Sequence, residues 1–270
     1  MIFFPPCKIN LGLHILSKRA DGYHELETLF YPLPFFDVLE ILPASRPGWH
    51  PLGLPIPGDP ALNLCLRAAE TIRAHSRAPI PALDIWLFKR IPPGSGLGGG
   101  SADGAFTLRG INEQFAAGLS QHDLNSLALE LGSDCPFFLG DQPCIARGRG
   151  EILLPVDIDL SDYSILLVHP DIHISTAWAF AQSRPNPFRP PLSEILNLPV
   201  GQWRDRLSND LEAPAIQAYP QIGQWKEALY EAGAVYASLT GSGSSLYGLF
   251  LKGGRPSFRF EINCPITFIG

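Results

Sequence analysis

Residues 7–16, C-K-I-N-L-G-L-H-I-L, set Ile9, Leu11, Leu13 and Ile15 against Lys8, Asn10, Gly12 and His14. That period of two marks a half-buried strand, and it puts the second set together on the opposite face. Asp21-Gly22 is a hairpin turn signal, and residues 23–31 and 37–42 read as further strands. Six prolines between 43 and 60 predict a loop excursion. Leu64, Ala68, Ala69 and Ile72 then recur at helical spacing behind Asn63, a possible cap, and predict a helix over 63–75. A strand is expected over 83–89, with helices over 102–115 and 121–131. The pattern changes after Gly148 and Gly150: strands are expected at 163–169, 235–239 and 246–251, helices at 176–182 and 221–231, and a Pro-rich loop at 184–199. A domain boundary is placed near 150–160, giving domains 1–155 and 156–270.

Between the strand at 83–89 and the helix that follows lies P-P-G-S-G-L-G-G-G-S-A-D-G-A, residues 92–105, with six glycines. Glycine lets backbone approach a ligand closely, and a helix starting there points unpaired N–H groups and about half a positive charge at the loop. That combination makes a phosphate cradle. The spacing Gly94-x-Gly96-x-x-Gly99 matches the dinucleotide fingerprint, but a Rossmann unit needs a second parallel strand next, and residues 116–131 read as a turn and another helix. A Walker A loop needs a lysine after its last glycine, and this loop has none. The cation and the reacting groups must come from elsewhere. Lys8, Asp134 and the second glycine-rich turn at 240–245, T-G-S-G-S-S, are the candidates. Taken singly, Lys8 reads more simply as a solvated strand lysine and Asp134 as a turn cap.

The formal charge of −6, without a Lys/Arg cluster, argues against nucleic-acid partners. No run of 18 apolar residues points to a membrane span, and five cysteines without a C-x-x-C pair fit a reducing cytoplasm rather than a disulfide or zinc framework.

Five ordered segments carry a resemblance: P-C-K-I-N-L-G-L, R-A-D-G-Y-H-E-L-E-T-L-F, P-P-G-S-G-L-G-G-G-S-A-D, L-G-S-D-C-P-F-F and L-T-G-S-G-S-S. Together they resemble the signatures of the galactokinase, homoserine kinase, mevalonate kinase and phosphomevalonate kinase (GHMP) family, over residues 5 to about 250. The resemblance implies an α+β, two-domain fold: an N-terminal domain like domain 2 of ribosomal protein S5 and a ferredoxin-like C-terminal domain, with the active site between them. It implies an ATP- and Mg²⁺-dependent kinase acting on a hydroxyl of a small cytidine-diphosphate-linked polyol, as a monomer or homodimer. Lys8 and Asp134 match the family's catalytic pair. Pro92, Pro93, Gly94, Ser95, Gly96, Leu97, Gly98, Gly99, Gly100 and Ser101 match the ATP phosphate loop, with Ser101 a metal contact, and Asn63 and Lys89 fall near the adenine-side residues. Asn10, Tyr23, His24 and Phe180 match the substrate side, where the rings would sandwich a cytosine, and Thr240, Gly241 and Ser242 match the motif that closes over the substrate phosphates. The alternatives are a family kinase for a different alcohol and a nucleotide-binding sensor without catalysis.

Two departures stand beside this resemblance. Cys7 and Cys135 adjoin Lys8 and Asp134, which would expose them to thiol reagents if they line the site, and the tail after Leu251 has no helical period, so the family's last helix is expected to be missing.

Overall fold

The structure, a computed structural model, describes residues 1–253, 256 and 265–270. In chain order the strands are β1 (Ile2–Phe3), β2 (Pro6–Lys18), β3 (His24–Phe36), β4 (Val38–Ala44), β5 (Gly48–Gly53), β6 (Ala82–Lys89), β7 (Cys144–Arg147), β8 (Ile152–Pro155), β9 (Tyr163–Val168), β10 (Tyr236–Leu239), β11 (Leu246–Leu251) and β12 (Ile266–Ile269). The α-helices are α1 (Leu64–His75), α2 (Gly99–Gln114), α3 (Gln121–Leu131), α4 (Thr176–Gln182), α5 (Leu192–Leu196), α6 (Glu212–Ala218) and α7 (Pro220–Glu231). The chain is therefore α+β, and it divides into two compact units. The first holds Met1–Lys8, Pro34–Pro93 and Gly98–Asp141; the second holds Ile9–Leu33, Gly94–Leu97 and Gln142–Gly270.

The first unit is built on a mixed sheet in the order β1-β4-β6-β5, in which β5 runs parallel to β6 and the other pairs are antiparallel. Alternation on β4 and β6 turns Leu39, Ile41, Leu83, Ile85 and Leu87 inward, all at least 97% buried. Helices α1, α2 and α3 pack on one another, and α2 lies against β4. Asn63 caps α1, its side chain accepting from the Cys65 N–H, and Ser120 with Asp123 forms a reciprocal capping box on α3.

The second unit carries the antiparallel sheet β10-β11-β9-β12. Numbered within this sheet by chain order, the strands run 2-3-1-4, the arrangement of a split β-α-β fold. Its core joins β9, β10 and β11 to α4, α6, α7 and the β2 residues Leu13 and Ile15. The other sheet, β2-β3-β7-β8, starts with the hairpin whose turn is closed by Arg19 N–H donating to the Tyr23 carbonyl at 2.8 Å.

Two expectations need correction, and a third lies largely outside the described residues. The Pro-rich stretch at 43–60 is not only loop, because residues 48–53 form β5 along the edge of β6. The Pro-rich stretch at 184–199 contains α5, and α6 was not anticipated; both are short helices of 5 and 7 residues whose pattern is too brief for a period to show. The missing last helix falls in the tail after Leu251, of which residues 254, 255 and 257–264 lie outside the described residues and 266–269 form β12.

The first unit also buries an ion cluster. Lys89, at the end of β6, donates to Asp37 at 2.5 Å and to Asp103 of α2 at 2.7 Å, and all three side chains are at most 4% exposed. Asp37 accepts in addition from the N–H groups of Arg90 and Ile91. Burial opposes the charge on Lys89, but Asp103 and Asp37 outweigh it and hold the ammonium above its ordinary pKa. For Asp103 burial prevails over the attraction of Lys89, and the second carboxylate, Asp37, adds to it, pushing the pKa up to about 7. A folded-state pKa above the unfolded one contributes stability that is complete below about pH 4 and is lost as pH rises through about 7. Asp103→Asn should therefore flatten the decline of unfolding free energy between about pH 4 and 7, followed by urea denaturation at stepped pH. An unchanged slope would remove Asp103 as its source.

Candidate active site

In the first unit, Lys8 sits on the opening residues of β2 with its side chain 4% exposed. Its ammonium lies 3.5 Å from an oxygen of Asp134, whose side chain is 35% exposed. Burial lowers the lysine pKa, and Asp134 opposes this by charge and by hydrogen bonding. Asp134 precedes a 3₁₀ turn at Cys135–Leu139, yet its carboxylate makes no capping bond, so the turn-cap reading of this residue does not hold. A carboxylate fixed by a buried ammonium and still open to solvent is one that a substrate hydroxyl can reach. A Cβ placed on Gly98 would come within 3.1 Å of the Lys8 Cε and 2.9 Å of the Phe138 ring, which puts the pair against the last part of the glycine loop. From there α2 begins at Gly99, with Gly98 as its N-cap and, among the described residues, no side-chain cap on its first N–H groups. The Ser101 hydroxyl, in the first turn, is a hydrogen-bonding neighbour of the Cys135 thiol.

In the second unit the remainder of the glycine loop, Gly94–Leu97, is tied to the turn at 240–245. Gly96 has φ of +84°, and a Cβ there would stand 2.1 Å from the Thr240 carbonyl oxygen, so neither its conformation nor its surroundings admit a side chain. The Ser245 N–H donates to the Ser95 carbonyl at 3.1 Å. Thr240 continues the tie to β2: its hydroxyl accepts from the Asn10 N–H at 3.0 Å and lies 3.2 Å from the Asn10 Oδ1 and 3.4 Å from the Gly96 carbonyl. Asn10 also donates from Nδ2 to Thr28 at 2.9 Å and is 2% exposed. Gly241 is held from below by Asn209, which donates to the Leu239 and Gly241 carbonyls, and Ser242 lies 3.0 Å from Thr176. Sequence reading did not single out Thr28 or Asn209, since a lone polar residue in an apolar run carries no pattern that marks it as a network member.

Among the aromatic residues, His24 and Phe180 stack directly on each other, centroids 5.3 Å apart and planes at 25°. Two rings that sandwich a base stand about 7 Å apart, so the expected slot between His24 and Phe180 is not open here. Tyr23 is 50% exposed, and the Arg149 guanidinium covers one ring face at 4.8 Å.

Two ATP-side expectations and the thiol expectation change with these positions. The Asn63 side chain is engaged as the cap of α1, and the Lys89 ammonium is held by two buried carboxylates, so both are placed in the scaffold of the first unit. Cys7 and Cys135 are fully buried, and burial, in each case the largest cause, pushes their pKa up to about 12. At neutral pH both are thiols without access to reagents.

The family models for the GHMP kinases N terminal domain and the GHMP kinases C terminal domain match residues 63–149 and 179–259. A curated relative from Parabacteroides distasonis, "4-diphosphocytidyl-2-C-methyl-D-erythritol kinase", is 44% identical over 93% of this chain and 92% of its own length. The chain belongs to the GHMP kinase family. A protein of the same name from Bacteroides fragilis is 46% identical over 93% of this GHMP kinase and 92% of its own. A solved structure described as a 4-(cytidine 5'-diphospho)-2C-methyl-D-erythritol kinase superposes with a TM-score of 0.80 at 34% identity, covering 94% of this kinase and 91% of that chain.

Two predictions follow from this geometry. Gly96→Ala should cost at least tenfold in ATP turnover with a raised KM for ATP, because the loop must move off Thr240 to accept the methyl group; wild-type kinetics would contradict the close approach. In the folded kinase Cys7 and Cys135 should resist a thiol reagent at pH 7 and react promptly in urea, read by mass spectrometry of the labelled peptides.

Proposed function

We propose that this kinase transfers the γ-phosphoryl group of ATP to the 2-hydroxyl of 4-diphosphocytidyl-2-C-methyl-D-erythritol, giving the 2-phosphate and ADP. The 3.5 Å pair of buried Lys8 and half-open Asp134, set against Gly98 at the start of α2, carries the catalytic part of this reading. The substrate follows the names of relatives at 44% and 46% identity.

Phosphoryl transfer runs through a loose transition state, so alignment and charge matter more than the strength of a base. Asp134 orients the attacking hydroxyl and receives its proton as the bond to phosphorus forms. Lys8 holds that carboxylate in place and offsets negative charge on the transferred group. The open N–H groups at Gly99–Ser101 and the backbone of Gly94–Leu97 bind the phosphates of ATP. On the substrate side, Asn10 and Thr240 act through backbone placement, Gly241 and Ser242 meet the substrate phosphates, and the base stacks on an exposed face of Tyr23 or Phe180. The Ser101 hydroxyl and the Asp134 carboxylate are hard oxygen donors of the kind Mg²⁺ takes, usually one or two from protein beside substrate phosphates, so the residues fit the ion. When bound, it would neutralise phosphate charge.

Lys8→Ala and Asp134→Asn should each lower kcat by about 10²–10⁴ with little change in ATP affinity. Activity needs Lys8 protonated, and burial lowers its pKa, so the alkaline limb of kcat should lie below the ordinary lysine value of about 10.4. An ADP-release assay with the cytidyl substrate, its uncytidylated methylerythritol phosphate, homoserine and mevalonate tests the whole reading. Turnover is expected only with the first, and turnover of another alcohol in its place would overturn the substrate assignment.

A further inference from the structure

A cleft in the second unit, apart from the residues given roles above, is lined by His14, Asn186, Arg189, Glu194, Ile195 and Arg206 and has a volume of about 450 Å³, within the range of small-molecule sites. His14 follows Asn10 by four residues on β2, but the strand is closed off between them. Gly12 has φ of +72°, and a Cβ there would meet Leu207 at 2.6 Å and Leu192 at 2.8 Å. The two leucines seal the face of β2 that separates the cleft from Asn10.

The walls of the cleft are stitched in place around His14. Leu13 N–H donates to the Ser208 carbonyl at 2.9 Å, Ile15 N–H to an Asp210 carboxylate oxygen at 2.8 Å, and Asn186 N–H to the Ile15 carbonyl at 2.8 Å. Leu192 N–H donates to Glu27 at 2.8 Å. Arg189 is fixed by Asp210 at 2.5 Å and by Ser208 at 3.1 Å, leaving further N–H groups of its fork.

Into this frame His14 places a ring that is 1% exposed, with neither nitrogen hydrogen-bonded. Burial, reinforced by the Arg189 charge, lowers its pKa to about 4, so near neutral pH it offers one N–H donor and one bare nitrogen. A buried donor and acceptor without partners carry an uncompensated desolvation cost, which a ligand able to donate and accept would relieve. Among the described residues the exposed Arg206 guanidinium makes no hydrogen bond or ion pair, and Glu194 and Asn186 add polar groups at the rim. Arginine binds anionic oxygens bidentately, and a neutral imidazole, a carboxylate and an amide suit hydroxyl groups.

We propose that the His14 cleft binds a small hydroxylated organic anion, a phosphate ester or carboxylate of a short polyol, with its anionic group on Arg206 and Arg189 and a hydroxyl on the His14 ring. This site is separate from the ATP and substrate residues, and the segment 186–207 that forms its wall also supplies the leucines packed on Gly12.

Calorimetric titration of the full chain with glycerol 3-phosphate and with D-glycerate, against glycerol and inorganic phosphate, tests this and separates the two kinds of anion. Saturable binding is expected for at least one organic anion and not for glycerol, with a rise in Tm of about 2–5 °C at ten times Kd. Arg206→Ala, at an exposed position, should weaken binding at least tenfold while leaving ATP turnover intact, and His14→Phe should abolish it. The proposal is overturned if neither organic anion saturates, if Arg206→Ala binds as the wild type does, if inorganic phosphate binds as tightly as the ester, or if ADP displaces the probe one for one. ATP turnover is read separately, so loss of one conclusion leaves the other standing.

Discussion

An ammonium taken out of water costs several kcal/mol unless a carboxylate comes with it, and the first unit meets this constraint at two lysines. The two solutions differ in what surrounds the carboxylates. Lys89 is enclosed by Asp37 and Asp103, both buried, and the cluster pins the end of β6 to α2. Lys8 lies 3.5 Å from Asp134, and that carboxylate remains about one-third exposed. A closed pair can only hold structure together, whereas a pair open on the carboxylate side keeps an acceptor available for chemistry. Identical residue types thus stand in a closed and an open arrangement, and solvent access separates them.

Within the second unit the order of the backbone is fixed as closely. Gly96 and Thr240 approach so closely that the glycine loop and the 240–245 turn form one packed surface within the second unit, and Asn10 joins both to β2. In the proposed reaction, backbone N–H groups held this way would need no reorganisation to meet a phosphate, the condition under which fixed dipoles are worth most. Thr28, Asn209 and Tyr247 stiffen the same network from outside it, Tyr247 by donating to the Asn10 carbonyl at 2.9 Å.

Much of this was legible in the sequence because the strongest patterns are local. The alternation over 7–16, the capped helix at 63–75 and the glycine loop each follow from a short period or a turn residue, and each element recurs in the structure within a few residues, although β2 is buried on both faces over residues 7–15 and not half-buried. The fate of Lys89 was not legible, since its partners lie 52 positions before it and 14 after it and only folding brings them together. The stacking of His24 on Phe180 has the same origin: sequence gives ring identities, not their spacing. Helices α5 and α6 escaped because one or two turns present too few positions for a periodicity.

The prolines between 43 and 60 gain a meaning from the strand they flank. Among the described residues β5 is an outermost strand of its sheet, and outermost strands invite pairing with any extended chain that passes. Pro51 lies within β5, with Pro47 just before it and Pro55 just after, and none has an N–H to donate. An incoming strand would therefore meet gaps in the ladder it needs. What looked in the sequence like an interruption guards the sheet against unwanted growth at this edge, and replacing these prolines with alanine would trade that protection for a continuous, adhesive border.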